Sequence, residues 1–118
     1  MNVLLALVLV AATAGSQDSP TIYRPGDGVS LPQVTKEVRP NYTSEAMANR
    51  IEGKVVLAAV VLPDGKVGEV TIKESLDSIY GLDKNAVAAM KQWEFKPGTK
   101  DGKPVAVRVN IELHFTLK

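Results

Sequence analysis

The sequence predicts an α+β domain in which a three-stranded antiparallel sheet carries two helices packed on one face. Three observations predict it. Val105, Val107, Val109, Ile111, Leu113, Phe115 and Leu117 alternate with Ala106, Arg108, Asn110, Glu112, His114 and Thr116, an unbroken period of two. Two apolar runs flank Pro63-Asp64-Gly65-Lys66, a hairpin signature. Leu82, Ala86, Ala89, Met90 and Trp93 form one stripe at the 3.6-residue period of a helix. The 118 residues are enough for one domain and too few for two ordinary ones.

Taken in order, the chain opens on Val3 to Ala12, apolar without interruption and followed by Thr13-Ala14-Gly15-Ser16. A membrane-crossing helix needs about 20 apolar residues, so this run is short. Its length and its small-residue exit fit a signal peptide over residues 1–14, cleaved after Ala14, with no stable membrane span left after cleavage. The other reading is a buried apolar strand or helix. Residues 15–30 read as an extended lead-in and 31–118 as the domain. Prolines at 20, 25, 32 and 40 rule out a long helix across this stretch and leave room for a short edge strand over Gln33 to Val38.

Thr43 to Ile51 reads as a short helix capped by Thr43 or Ser44, with Ala46, Met47 and Arg50 on one face and Gly53 releasing the chain. Lys54 to Leu62 is apolar at odd and even positions alike, so both faces of this strand want cover. Proline presets the first position of the following turn, and Gly65 accepts the positive φ that it requires. The returning strand is Val67 to Glu74. Leu82 to Trp93 is the main helix, stopped by Pro97-Gly98, and a turn at Lys100-Asp101-Gly102-Lys103 leads into the last strand. A slip of one residue there would bury Arg108 and Glu112, so its register is strongly specified.

Composition narrows the chemistry. Fourteen basic against thirteen acidic residues leave a net charge of +1, too little for a general nucleic-acid-binding field, although a local basic patch is compatible with it. With no cysteine and one histidine, thiolate catalysis and Cys- or His-rich metal sites are excluded within one chain. His114 lies on the polar side of a regular strand two residues from Glu112, the arrangement of a surface pair and not of a general base. No phosphate-cradling glycine loop is present, and the acidic residues are too scattered for a calcium loop. The chain therefore reads as non-enzymatic, with no cofactor and no metal.

Arg39-Pro40-Asn41-Tyr42, Ile51-Glu52-Gly53-Lys54-Val55, Pro63-Asp64-Gly65-Lys66-Val67, Leu82-Asp83 with Ala86 and Ala89, Trp93-Glu94-Phe95-Lys96-Pro97-Gly98 and Gly102-Lys103-Pro104-Val105 occur in that order. Together they resemble the TonB C-terminal domain family over about Leu31 to Leu117. Thr43 follows Tyr42 where that family usually has proline, which bears on the helix start. The resemblance implies a periplasmic domain that receives an extended peptide, the TonB box of an outer-membrane transport receptor, as a strand beside its last strand. The implied receiving edge is Val105, Ala106, Val107, Arg108, Val109, Asn110, Ile111, Glu112, Leu113, His114 and Phe115, with Arg39 and Tyr42 close by.

An edge with free N–H and C=O groups can pair with an incoming peptide. Arg108, Glu112 and His114 can equally act as charges that guard such an edge. Edge pairing with a second copy would give a homodimer that competes with the peptide. The alternative function is that of an exported, cell-wall-associated interaction protein using Tyr23, Tyr42 or Tyr80, without a role in energised transport.

Overall fold

A computed structural model describes residues 21–117. The expected signal peptide therefore lies outside the described residues, as does the start of the lead-in. The elements are β1 (Ile22–Tyr23), β2 (Gln33–Lys36), α1 (Ser44–Ala48), β3 (Gly53–Val61), β4 (Val67–Glu74), α2 (Leu82–Met90), β5 (Glu94–Lys96), β6 (Gly98–Lys100) and β7 (Lys103–Phe115).

At the centre stand the three antiparallel strands anticipated from sequence, in the order β7-β3-β4. The sheet nevertheless has five strands and is mixed. β1 lies parallel to β7, pairing Ile22 with Ala106 and Tyr23 with Val107, and β6 pairs antiparallel with the start of β7. β2 and β5 make a second, two-stranded sheet. β2 falls within the short edge strand anticipated over Gln33 to Val38; the expectation of three strands otherwise falls short because β1, β5 and β6 are only two or three residues long and sit among prolines and glycines. Segments that short carry no readable alternation.

The alternation of β7 resolves as predicted over its second half. Leu113 and Phe115 are buried, while Glu112 and His114 are exposed. Odd-numbered residues of β3, from Val55 to Val61, join them against Ala46 of α1 and Leu82, Ala86 and Met90 of α2. Both helices thus pack on one face. At roughly 1.5–3 kcal/mol for each large apolar side chain buried, this layer dominates the stability.

The opposite face is drier than alternation alone implies. Ala58 and Val60 are buried, as is Ala106, which the period of two assigns to water. The lead-in accounts for the difference: β1 extends the sheet beside Ala106, and the turn carrying Arg24 and Pro25 borders Ala58 on this face.

Two helix ends depart from expectation. Thr43 caps α1 as predicted, its Oγ1 accepting from Ala46 N at 3.1 Å, and the same hydroxyl donates to the Tyr80 carbonyl at 2.8 Å. The helix then ends at Ala48, before the glycine. Arg50 takes φ 54°, Ile51 N donates to Ala46 O, and Arg50 N donates to Met47 O. This is a Schellman ending with arginine in the left-handed position that glycine normally fills. Met47, expected on one face with Ala46, is exposed.

The amino end of α2 has Gly81 as its cap residue and no side-chain cap of its own. Asp77 supplies the missing acceptor from five residues upstream, with Leu82 N donating to its Oδ2 at 3.1 Å. The other carboxylate oxygen of Asp77 accepts from Ile79 N and Tyr80 N. Asp83 accepts in turn from the Ser75 hydroxyl and from the backbone of Leu76 and Asp77. Two carboxylates, each only 5% exposed, therefore hold the whole connection from β4 to α2.

Candidate functional site

β7 is a strand with two differently occupied sides. Along one it pairs with β3 from Val107 through Phe115. Along the other, β6 and β1 pair with Lys103 through Val107 and then stop. Among the described residues nothing pairs with that side from Arg108 to Phe115, which leaves a stretch of backbone donors and acceptors open. Val105, Ala106 and Val107 thus belong to the expected edge but are already bonded within the chain. The remaining residues of the edge are brought together as one free strand.

A groove of about 580 Å³ borders the end of this free stretch. The segment Glu37 to Pro40, with Tyr42, forms one bank, and Glu112 to Thr116 the other. Arg39 and Tyr42 therefore lie beside the edge, as the sequence motif implies. Tyr42 is half-buried. Its ring meets Phe115 edge-on at 5.4 Å between centroids, and its hydroxyl donates to the Ile51 carbonyl. Burial, with the Glu52 charge second, pushes the Tyr42 phenol above its ordinary pKa, so the hydroxyl remains a donor at neutral pH.

Trp93 fixes the height of the first bank. Its indole Nε1 donates to the Val38 carbonyl at 2.9 Å, while the ring stacks on Phe95 at 6.1 Å. The helix stripe correctly places Trp93 in the core. Nothing in the stripe shows that its nitrogen ties down the segment carrying Arg39.

The polar side chains along the edge are mutually paired. Glu112 receives Lys54 at 3.3 Å, and His114 Nε2 lies 3.4 Å from its other oxygen. The hydrogen bond and charge of Lys54, joined by those of His114, hold the Glu112 carboxyl below its usual range. Arg108 is 3.8 Å from Glu69 of β4. These are exposed pairs of small energetic value. They leave the backbone edge open while discouraging indiscriminate pairing.

The other aromatic candidates occupy structural positions. Tyr23 lies under the Lys100 ammonium, 5.1 Å from its ring centroid, and Tyr80 is partly buried against the core. Among the described residues no cluster of three or more acidic or histidine side chains could hold a metal ion, and no helix is long and apolar enough to cross a membrane.

The sequence that folds in this way matches a known family. The family described as Gram-negative bacterial TonB protein C-terminal matches residues 38–117. The chain belongs to the TonB C-terminal family. Protein TonB of Vibrio cholerae is 38% identical over 88 residues, covering 72% of this chain and 34% of that protein. Protein TonB of Escherichia coli is 31% identical over 87 residues, covering 74% and 36% respectively. The solution structure of the Pseudomonas aeruginosa TonB C-terminal domain superposes with a TM-score of 0.62 at 26% identity, covering 80% of this chain and 93% of that one. The chain spans about a third of the length of these full-length TonB relatives. The resemblance read from the ordered motifs is thereby established, and the fold is that of a TonB C-terminal domain. β1 and β2 precede the matched region, so of the two strands that close the upstream part of the β7 edge, β6 lies within that region and β1 comes from the lead-in before it.

Proposed function

We propose that this chain works in the periplasm as a protein-binding module, receiving an extended peptide of an outer-membrane transport receptor as an added strand along Arg108 to Phe115. The single observation that carries this reading is the unpaired side of β7 lying beside the groove of Arg39 and Tyr42. Membership of the TonB C-terminal family supplies the class of partner. Backbone hydrogen bonds would provide affinity, and side-chain contacts along the groove would provide selectivity.

The geometry limits the peptide. At about 3.3 Å per residue, eight edge residues accommodate roughly 26 Å of strand. The Ile22–Tyr23 strand and the turn after it block further pairing upstream. Residues 1–14 act in this reading as the leader that delivers the domain across the inner membrane. Pairing of the same edge with a second copy would compete with the peptide.

The test is backbone amide chemical shifts of labelled protein titrated with a TonB-box-like peptide. Arg108 to Phe115, Arg39 and Tyr42 should shift in a saturable way, while β4 stays unchanged. An edge that remains silent at millimolar peptide would remove the strand-addition mechanism.

A further inference from the structure

The sheet face turned away from the helices contains a second concavity, of about 350 Å³. It is lined by Arg24, Pro25, Ala58, Lys73, Arg108 and Asn110. Three cations from three separate elements meet there: Arg24 follows β1, Lys73 lies on β4, and Arg108 lies on β7. Ala58 of β3, buried and small, lies at the middle of the sheet between them. No carboxylate lines the depression. Of the neighbouring carboxylates, Glu69 meets Arg108 at 3.8 Å, Asp27 accepts from the Arg24 backbone N at 2.9 Å, and Glu112 is engaged by Lys54 and His114. Arg24 and Lys73 have no ion-pair partner among the described residues.

In a chain whose net charge is only +1, such a gathering creates a positive potential that the composition does not. We propose that this depression is a binding site for a phosphate-type oxyanion, either free or carried on a lipid headgroup. Guanidinium groups present planar forks of donors matched to such oxygens, and Arg24 and Arg108 offer two of them. The Lys73 ammonium and the Asn110 amide supply further donors. A carboxylate has two oxygens and one charge, enough for one fork. A phosphate monoester carries close to two charges and three acceptor oxygens, which suits cations arriving from three directions. The site depends on β1 and the turn after it, which precede the family-matched residues 38–117. It lies on the sheet face, whereas peptide addition uses the backbone edge.

The test uses labelled full chain titrated with inorganic phosphate at fixed ionic strength, with chloride as the balancing anion. Saturable shifts of the Arg24 and Arg108 Nε–Hε signals and of the Asn110 side-chain amide are expected, with acetate binding more weakly. Arg24→Gln and Lys73→Gln should each weaken phosphate binding roughly tenfold, the loss of one charge-assisted hydrogen bond. Both variants should keep the dispersed amide spectrum of the folded domain and its response to the edge peptide. Sedimentation with vesicles containing phosphatidic acid, whose headgroup is a phosphate monoester, compared with phosphatidylcholine vesicles, separates the two sources: capture lost in Arg24→Gln assigns the headgroup, and phosphate binding without capture assigns a free ligand. Shifts from phosphate no larger than those from chloride, without vesicle capture, overturn the proposal. So does an Arg24→Gln variant that binds like the parent.

Discussion

Replacing Asp77 by alanine tests the claim that a carboxylate outside α2 serves as its cap. Three amides lose their acceptor: Leu82 N, which is buried, and Ile79 N and Tyr80 N, which are part-buried. An orphaned buried donor costs about 1–3 kcal/mol, and each of the other two, which water can reach, about 0.5–1. Loss of a negative charge beside a helix amino terminus adds about 0.3–1 kcal/mol. Asp77→Ala should therefore destabilise the domain by about 2–6 kcal/mol, centred near 4, a large share of the 5–15 typical of a domain. Urea denaturation followed by Trp93 fluorescence measures it, and with a slope near 1.5 kcal/mol/M the central figure lowers the midpoint by about 2.7 M. Asp77→Asn keeps an acceptor for Ile79 and Tyr80 but not one for Leu82, so it should cost about half as much. The pH dependence follows the same geometry. Burial pushes the Asp77 carboxyl up, but the amide hydrogen bonds of Tyr80, Leu82 and Ile79 together outweigh it and leave the pKa below its ordinary value. The contribution is thus complete above the unfolded pKa of about 3.9 and is lost as pH falls through the lower folded value. Asp77→Asn should flatten that acid limb. An alanine variant within about 0.5 kcal/mol of the parent, the ordinary scatter of surface substitutions, would refute the capping account.

Two backbone substitutions should move stability in opposite directions. Gly65 has φ +87°, and a Cβ there would lie 2.2 Å from the Phe95 carbonyl oxygen; that clash and the left-handed backbone together should make Gly65→Ala lose about 2–5 kcal/mol in urea denaturation. Arg50 occupies the left-handed position of the Schellman ending, so Arg50→Gly should raise thermal stability by about 0.5–1 kcal/mol, read as a higher midpoint in circular dichroism. A neutral Gly65→Ala or a destabilising Arg50→Gly would contradict the turn geometries assigned to them.

Long, regular elements were legible in the sequence because period and length reinforce each other. β4 spans Val67 to Glu74 and the α2 stripe is buried, both as the pattern implied. What stayed hidden was made by contacts distant along the chain. β1 is two residues in a proline-rich lead-in, and its place beside Val107 depends on a partner more than 80 residues away. The same applies to the tie between Trp93 and Val38, 55 residues apart. Asp77 sits in a loop where a carboxylate ordinarily reads as solvated, and only the fold reveals the three amides converging on it.

The candidate edge could be named from the sequence motif but not bounded. Alternation establishes which face of β7 is core, because side chains carry that information. Which side of its backbone is free depends on other strands, since every residue brings the same N–H and C=O to a ladder. The sequence motif pointed to Val105 through Phe115 as one continuous edge. The chain's own Ile22–Tyr23 and Gly98–Lys100 pair with the first part and leave Arg108 onward. The lead-in supplies both β1, which occupies Ala106 and Val107 of the β7 edge, and Arg24 immediately after it, which lines the depression on the sheet face. If both assignments hold, deleting the lead-in separates them, opening Ala106 and Val107 to pairing while removing one fork from the oxyanion site.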